Sequence, residues 1–349
     1  MRKHRWPCRW RRRAATAGHL PGFVRAGRRI AAACVVAALS LPAFSCTILR
    51  SNATDSRQKA YVAADDGSVL ARHAPIFVLQ TDQEPYNRIG TVAARHGATG
   101  DEEIYVDTSV PTFYAQKEEF KTASESYTNL IYRAHFDRTP LPFLSAGRNV
   151  AVIAVVTLNA SGQPVLLTFT HACGGYVVFV PTSYLPDKAL PEDWPTAGQS
   201  VYGEDLPGRL AFPEAFDNAY RPVVVLRDAT HGAMAVRVED VREAAWRYQV
   251  VPAKIEPMAS LEALPLDAGT TSLYAASGSQ RGLVKGGFRP LRLLLTSWWM
   301  LDLHAGRDRK FTNAHETGKT LYTSLKFWNR EESDMWEFAG FLQFWGWRL

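Results

Sequence analysis

Three residues of this chain have types and spacing that could support chemistry in two similar turns. His171 and Cys173 lie in the segment His-Ala-Cys-Gly-Gly at positions 171–175, and His231 lies in the segment Ala-Thr-His-Gly at positions 229–232. Each turn follows an apolar run, contains Thr-His and leads into a further apolar run, which predicts two strand ends with the same design. Glycine at a strand end lets a ligand approach the backbone closely, so these turns are the first candidates for a functional site.

A fourth candidate lies on another predicted strand. Residues 127–136 alternate between apolar and polar side chains, which predicts a strand with His135 on the face opposite its apolar neighbours. Imidazole and thiolate groups are good ligands of Zn²⁺, so convergence of His135, His171, Cys173 and His231 would form a zinc site. The alternative is structural, with each histidine bonded to a turn carbonyl and the cysteine serving as a small apolar filler. The sequence leaves both interpretations open.

Familiar catalytic and cofactor motifs are missing from the sequence. It contains no Walker loop, no GxGxxG after a strand, no HExxH, no paired CxxC and no GxSxG. Nucleotide, dinucleotide and Ser-triad chemistry therefore lack support.

The elements that position the first turn lie in residues 149–181. Three apolar runs, at 150–158, 164–170 and 176–180, are separated by Asn-Ala-Ser-Gly and by the His-Ala-Cys-Gly-Gly turn. β-Branched residues with this punctuation predict three antiparallel strands in the middle of a sheet.

The C-terminal region has a different composition. Pro290 suits a first helical turn, and residues 291–303 are apolar on most faces, so a helix is predicted there, with two more at 317–327 and 336–345. Six of the eight tryptophans beyond residue 45 lie in residues 298–349. We expect a Trp-rich helical cap packed on the sheet, because Trp buries large areas. A membrane-facing aromatic patch is the alternative. Five acidic residues oppose it, because anionic lipid would repel them: Asp302, Asp308, Glu331, Glu332 and Asp334.

The N-terminal region predicts export. The formal charge of +6 is misleading, because residues 1–45 contain ten Lys or Arg and no acid, which leaves 30 basic against 34 acidic residues in the rest of the 349-residue chain. Basic charge confined to a leader gives no support for nucleic-acid binding. A basic segment followed by the fifteen apolar residues 30–44 matches a signal peptide and is too short to span a membrane as a helix.

Processing of this signal peptide has two possible outcomes. Ala43 and Ser45 place small residues at −3 and −1 before Cys46, in a segment that resembles a bacterial lipobox. General signal peptidase would leave Cys46 as the first residue, whereas lipoprotein processing would also acylate it and tether the protein to a membrane. In the acylated case Cys173 has no disulfide partner, so the fold must depend on its core. The polar residues 46–70 are predicted to be a tether.

A family resemblance enters at the motifs already described. The order strand, His-x-x-Gly-Gly, strand, long loop, Arg-Pro-Val-Val-Val at 221–225 and Thr-His-Gly resembles the β-rich vacuolar-sorting "sixty-two"-type domains. More distantly it resembles the necrosis-inducing-protein sandwiches. The likeness covers residues 73–235 and departs from the family at 149–153, where Asn-Val-Ala-Val-Ile replaces an acidic-Trp-Glu segment. It implies a β-sandwich and no particular activity.

Together these observations predict a mainly β (α+β) protein: a signal peptide at 1–45, a tether at 46–70, a twisted antiparallel β-sandwich at 71–250 and a linker with the helical cap at 251–349. We expect an exported lipoprotein of the periplasm or cell envelope, anchored through Cys46, that acts as a binding or structural module for a protein or small-molecule ligand. The alternative is a metal-dependent hydrolase centred on His135, His171, Cys173 and His231.

Overall fold

The computed structural model describes residues 58–215 and 217–349, and strands dominate this part of the chain. The strands are β1 Lys59–Ala63, β2 Ile76–Leu79, β3 Thr91–His96, β4 Glu102–Asp107, β5 Thr112–Lys121, β6 Ser126–Thr139, β7 Gly147–Leu158, β8 Pro164–His171, β9 Val177–Pro181, β10 Gln199–Val201, β11 Glu204–Leu206, β12 Tyr220–Leu226, β13 Ala233–Asp240, β14 Gln249–Pro257, β15 Leu264–Leu266 and β16 Gly269–Thr271. The α-helices are α1 Val69–His73, α2 Val241–Arg247, α3 Pro290–Met300, α4 Ala314–Thr317 and α5 Phe338–Phe344. With 40% strand and 18% helix, the predicted mainly β class is confirmed.

Ten strands form one large sheet in the order β13-β12-β2-β1-β14-β5-β6-β7-β8-β9. Pairing from β5 to β9 is antiparallel throughout, whereas β12–β2, β1–β14 and β14–β5 are parallel pairs. The sheet is nearly closed. Beside β9, the Tyr176 hydroxyl donates to the carbonyl of Ala233 on β13 at 2.7 Å, so the two ends of the strand order approach each other. The predicted twisted antiparallel β-sandwich is therefore not confirmed: ten strands form one mixed sheet, and the other six form the two-stranded sheets β3-β4, β10-β11 and β15-β16.

Strands of the large sheet cross two of the boundaries predicted from the sequence. Lys59–Ala63, assigned from sequence to the tether, is strand β1 near the centre of the sheet, and β14 crosses the predicted boundary at residue 250. Their pairing is parallel and joins segments almost two hundred residues apart, for example Lys59 with Gln249. A local pattern of apolar residues does not show such pairing.

Alternation along β6 sets the layers of the core. Leu130, Tyr132, Ala134 and Phe136 point into the apolar cluster enclosed by the curled sheet. Ile131 points to the opposite face, where side chains of the C-terminal region complete a second cluster. The face of β6 predicted from sequence is thus confirmed. The three antiparallel strands predicted within 149–181 are confirmed as β7, β8 and β9, although they lie at one end of the strand order rather than in its middle.

The C-terminal region is not a compact helical cap. Its three helices are short and separated by irregular chain, and its tryptophans divide into two groups. Trp336, Trp345 and Trp347 pack against the outer cluster of the sheet, whereas Trp298, Trp299 and Trp328 are exposed. The prediction that the tryptophans pack on the sheet holds for the first group only.

No helix within residues 58–215 and 217–349 has the length and apolarity that crossing a membrane requires. The predicted signal peptide, the lipidation position Cys46 and the first part of the predicted tether lie outside the described residues.

Candidate functional site

The turn after β8 is built around two glycines that the C-terminal region approaches closely. Gly174 has a φ of 72°, and a Cβ at this position would collide with the backbone carbonyl of Tyr322. A Cβ on Gly175 would overlap the guanidinium group of Arg292. Glycine is therefore required here because the protein's own C-terminal region lies against the turn.

Cys173 in this turn contacts guanidinium groups. Its side chain is buried, and Arg292 Nη1 lies 3.4 Å from Sγ. Burial raises the pKa of the Cys173 thiol, but the charges of Arg292 and Arg289 outweigh burial and lower the pKa to about 7. A substantial fraction of Cys173 is thus a thiolate at neutral pH.

An ion pair lies beside the thiol. Arg289 Nη2 donates to Asp308 Oδ1 at 2.6 Å, and both side chains are almost fully buried. The other carboxylate oxygen of Asp308 accepts the backbone N–H of Ala151 on β7 at 2.7 Å. Asp308 therefore links the segment after α3 to the middle of the sheet.

Two further buried arginines extend this group. Arg133 on β6 donates to the backbone carbonyl of Arg309 at 2.8 Å, and Arg309 Nη2 lies 2.7 Å from Asp302 Oδ2. We call Arg133, Arg289, Arg292 and Arg309 the arginine cluster. In the described part of the chain, Arg133 Nη2 and two nitrogens of Arg309 are buried without a hydrogen-bond partner. Of these four arginines, Arg289 and Arg292 are the ones whose charges stabilise the Cys173 thiolate.

The second turn positions His231 by backbone geometry and stacking. It connects β12 to β13 and places Ala229 and His231 at φ values of 63° and 58°. The His231 ring stacks on Phe136 with 3.8 Å between centroids, and its Nε2 lies 2.8 Å from the Tyr86 carbonyl oxygen. The ring is therefore fixed on both sides.

The two turns lie close together, a possibility that the sequence left open. His171 and His231 line the same cavity, of only about 10 Å³, together with Thr139, Thr230 and Arg289. Within the described residues, Nε2 of His171 is buried without a hydrogen-bond partner. Burial lowers the pKa of each histidine to about 3, so both rings are neutral at physiological pH. The cavity has room for about one water molecule, far less than a small-molecule site provides.

The other two predicted zinc ligands do not line this cavity. His135 is fully buried, accepts a hydrogen bond at Nε2 from Arg133 Nε at 2.9 Å and packs edge-on against Tyr114. Cys173 faces Arg292 instead. Across residues 58–215 and 217–349, no three His, Cys, Asp or Glu side chains are grouped as a metal would require.

Sequence reasoning did not find the arginine cluster. Arginine is almost never fully buried unless paired, so Arg133 on an alternating strand and Arg292 in an apolar helix are expected to point to solvent. The only signal was that Arg292 interrupts an otherwise apolar run. If that arginine pointed outward, the inner face of the helix would be apolar without interruption.

Comparison of the chain with family models, with curated proteins and with solved structures found no match. The resemblance to vacuolar-sorting "sixty-two"-type and necrosis-inducing-protein domains therefore stays a prediction.

Proposed function

We propose that this protein is an exported lipoprotein, anchored to a membrane of the cell envelope by an acylated Cys46, whose folded body is a binding or structural module. The observation that carries this proposal is the leader: a basic segment, the apolar run at 30–44 and small residues at −3 and −1 before Cys46. The partner of the body is a protein or a small molecule. Nucleic acid is disfavoured by the acidic balance of residues 46–349.

Such an anchor keeps the folded body close to the bilayer. Strand β1 begins at Lys59, so only residues 47–58 separate the first strand from the acylated position. Even fully extended, this segment reaches about 45 Å at ~3.5 Å per residue. The body therefore works at the membrane surface.

The experiment compares Cys46→Ser with wild type in a bacterial host after membranes are washed repeatedly. Triacylated protein resists washing, because several acyl chains bind a bilayer far more tightly than any peripheral contact. We expect wild type to stay in washed membranes and to need detergent for release, whereas Cys46→Ser is removed. Cys173→Ser is the matched control and should behave like wild type. Retention of Cys46→Ser after washing would contradict the anchor.

A metal-dependent hydrolase is the second candidate; of the four predicted ligands His135, His171, Cys173 and His231, only His171 and His231 line a common cavity, so the pair would have to hold the metal. It is favoured by the shared cavity of His171 and His231 and by their low pKa, since neutral imidazole is the form that binds Zn²⁺. Elemental analysis of protein purified without chelator decides. Stoichiometric zinc that is lost in His171→Ala would support this function, and no bound metal together with melting unchanged by EDTA would reject it.

A further inference from the structure

Helix α3 and the residues that follow it expose an unusual amount of apolar surface. We define the α3 surface as Leu294, Leu295, Trp298, Trp299, Leu301 and Leu303. Every one of these side chains is more than half exposed, up to 82% for Leu303, and the rings of Trp298 and Trp299 contact each other edge-on. Single exposed apolar residues are normal, but a contiguous set of six marks an interaction surface.

The amphipathicity of α3 is inverted relative to that of a surface helix in a water-soluble domain. Its buried positions are Arg292, which contacts Cys173, and Met300. Its exposed positions are leucines and tryptophans. Helices normally bury the apolar stripe and expose the charges. The outward face of α3 is therefore apolar yet exposed to solvent in the described part of the chain.

The acidic residues that opposed a membrane contact are largely turned away from solvent. Asp302 binds Arg309 and accepts the N–H of His304, while Asp308 binds Arg289. Asp334 is buried and accepts the N–H of Leu321. Pairing with arginine neutralises the charges of Asp302 and Asp308. Of the five acidic residues, only Glu331 and Glu332 are exposed. These five residues therefore repel anionic lipid much less than the sequence suggests.

A second exposed aromatic pair adjoins the end of α3. The rings of Phe327 and Trp328 pack edge-on, and Lys326 Nζ lies over the Trp328 ring. Arg330 donates to the carbonyl of Met300, which fixes this segment next to the C-terminal end of the helix. Tryptophan, leucine and a rim of Lys and Arg are the composition that partitions into the headgroup region of a bilayer.

We propose that the α3 surface docks onto the lipid bilayer, with Trp298 and Trp299 inserted at the depth of the headgroups. The tether specifies the bilayer as the occupant: an acylated Cys46 holds Lys59, where the first strand of the body begins, within about 45 Å of lipid, so the body that carries the α3 surface stays beside a bilayer, and this step rests on the proposed function. The anchor alone leaves the orientation of the body on the membrane free, and docking of the α3 surface would fix that orientation. The apolar side chains provide the affinity, because residues 46–349 are net acidic.

The test uses the chain from residue 46 with Cys46→Ser, so that no acyl group contributes. Residues 55–349 form a compact unit of their own, which makes this protein suitable for study in solution. Its flotation with vesicles of phosphatidylethanolamine and phosphatidylglycerol is compared with that of Trp298→Gln/Trp299→Gln. We expect the double variant to lose about tenfold or more of the partition coefficient, since two large apolar side chains are removed. Binding of the parent protein should change little with added salt.

Trp246→Gln is the matched control. Trp246 is 84% exposed and lies on α2, away from the α3 surface, so its loss should leave flotation unchanged. The substituted tryptophans are exposed, and melting temperatures equal to that of the parent protein will show that the fold is intact. Equal flotation of the double variant and the parent, or no flotation of the parent, would overturn the proposal. So would a lipid-free dimer that disperses in the double variant, because the surface would then join two copies of the chain.

This test and the fractionation of Cys46→Ser fail independently. An acylated protein whose unacylated form does not float keeps the anchor and overturns docking. An unacylated native protein that floats through α3 keeps docking and overturns the anchor.

Discussion

Replacing Asp308 by Asn tests whether the buried ion pair holds the C-terminal region on the sheet. Asp308 is paired with Arg289 at 2.6 Å and accepts the N–H of Ala151, and neither charged side chain reaches solvent. Asparagine keeps the size and one acceptor but removes the charge. Arg289 would then remain buried beside the other arginines without its counter-charge.

The expected cost is large. Removing one partner of a buried ion pair destabilises a protein by about 3–5 kcal/mol. At roughly 2–3 °C per kcal/mol for a domain of this size, the melting temperature should fall by roughly 6–15 °C. Asp187→Asn is the matched control, because Asp187 is 86% exposed and pairs with Arg209 at 2.7 Å. An exposed pair contributes less than about 1 kcal/mol.

The assay is denaturant unfolding of both variants and of the double variant Arg289→Met/Asp308→Leu. We expect the double variant to be more stable than Asp308→Asn, since it leaves no uncompensated charge at this pair. The reasoning would be refuted if Asp308→Asn cost no more than Asp187→Asn, or if the double variant were the least stable of the three.

Two further predictions concern the turn at Cys173. Gly174→Ala should lower the free energy of unfolding by about 3 kcal/mol, because the φ of Gly174 is positive and the carbonyl oxygen of Tyr322 occupies the space of the new methyl group. A loss below about 1 kcal/mol in urea unfolding would contradict this prediction. For Cys173, a folded pKa of about 7 lies below the ~8.5 of an unfolded thiol. The thiolate therefore contributes stability above pH 9 that is lost as pH falls through 7. The difference in unfolding free energy between wild type and Cys173→Ala should grow by about 1.5 kcal/mol from pH 7 to 9, and a constant difference would show that the thiol is not anionic.

The sequence predicted best those parts of the fold that depend on neighbouring residues. Strands β7, β8 and β9 pair with their successors through short turns, so apolar runs and turn residues were enough to identify them. The inward and outward faces of β6 followed from alternation alone. Strands β1 and β14 pair in parallel across the whole domain, and five-residue β1 has no local signal of that pairing.

Only part of the candidate site could be predicted from the sequence, because only part of it is formed by residues that are neighbours in the chain. Glycines at the Cys173 turn were interpreted as room for a ligand beside the backbone. The group that approaches is the chain's own Arg292 and the Tyr322 carbonyl. The repeated Thr-His turn raised the possibility that His171 and His231 lie together, but it did not show it; their position at one cavity is visible only in the structure. The arginines around Cys173 come from three separate segments, and their convergence depends on packing that no motif encodes.

The most direct test of the proposed function is the mass of the N-terminal peptide of the mature protein, isolated from membranes of a bacterial host. An exported lipoprotein predicts a peptide that begins at Cys46 and carries a thioether-linked diacylglyceryl group. A peptide with unmodified Cys46, or a mature chain that begins elsewhere and is recovered in the soluble fraction, would contradict the account.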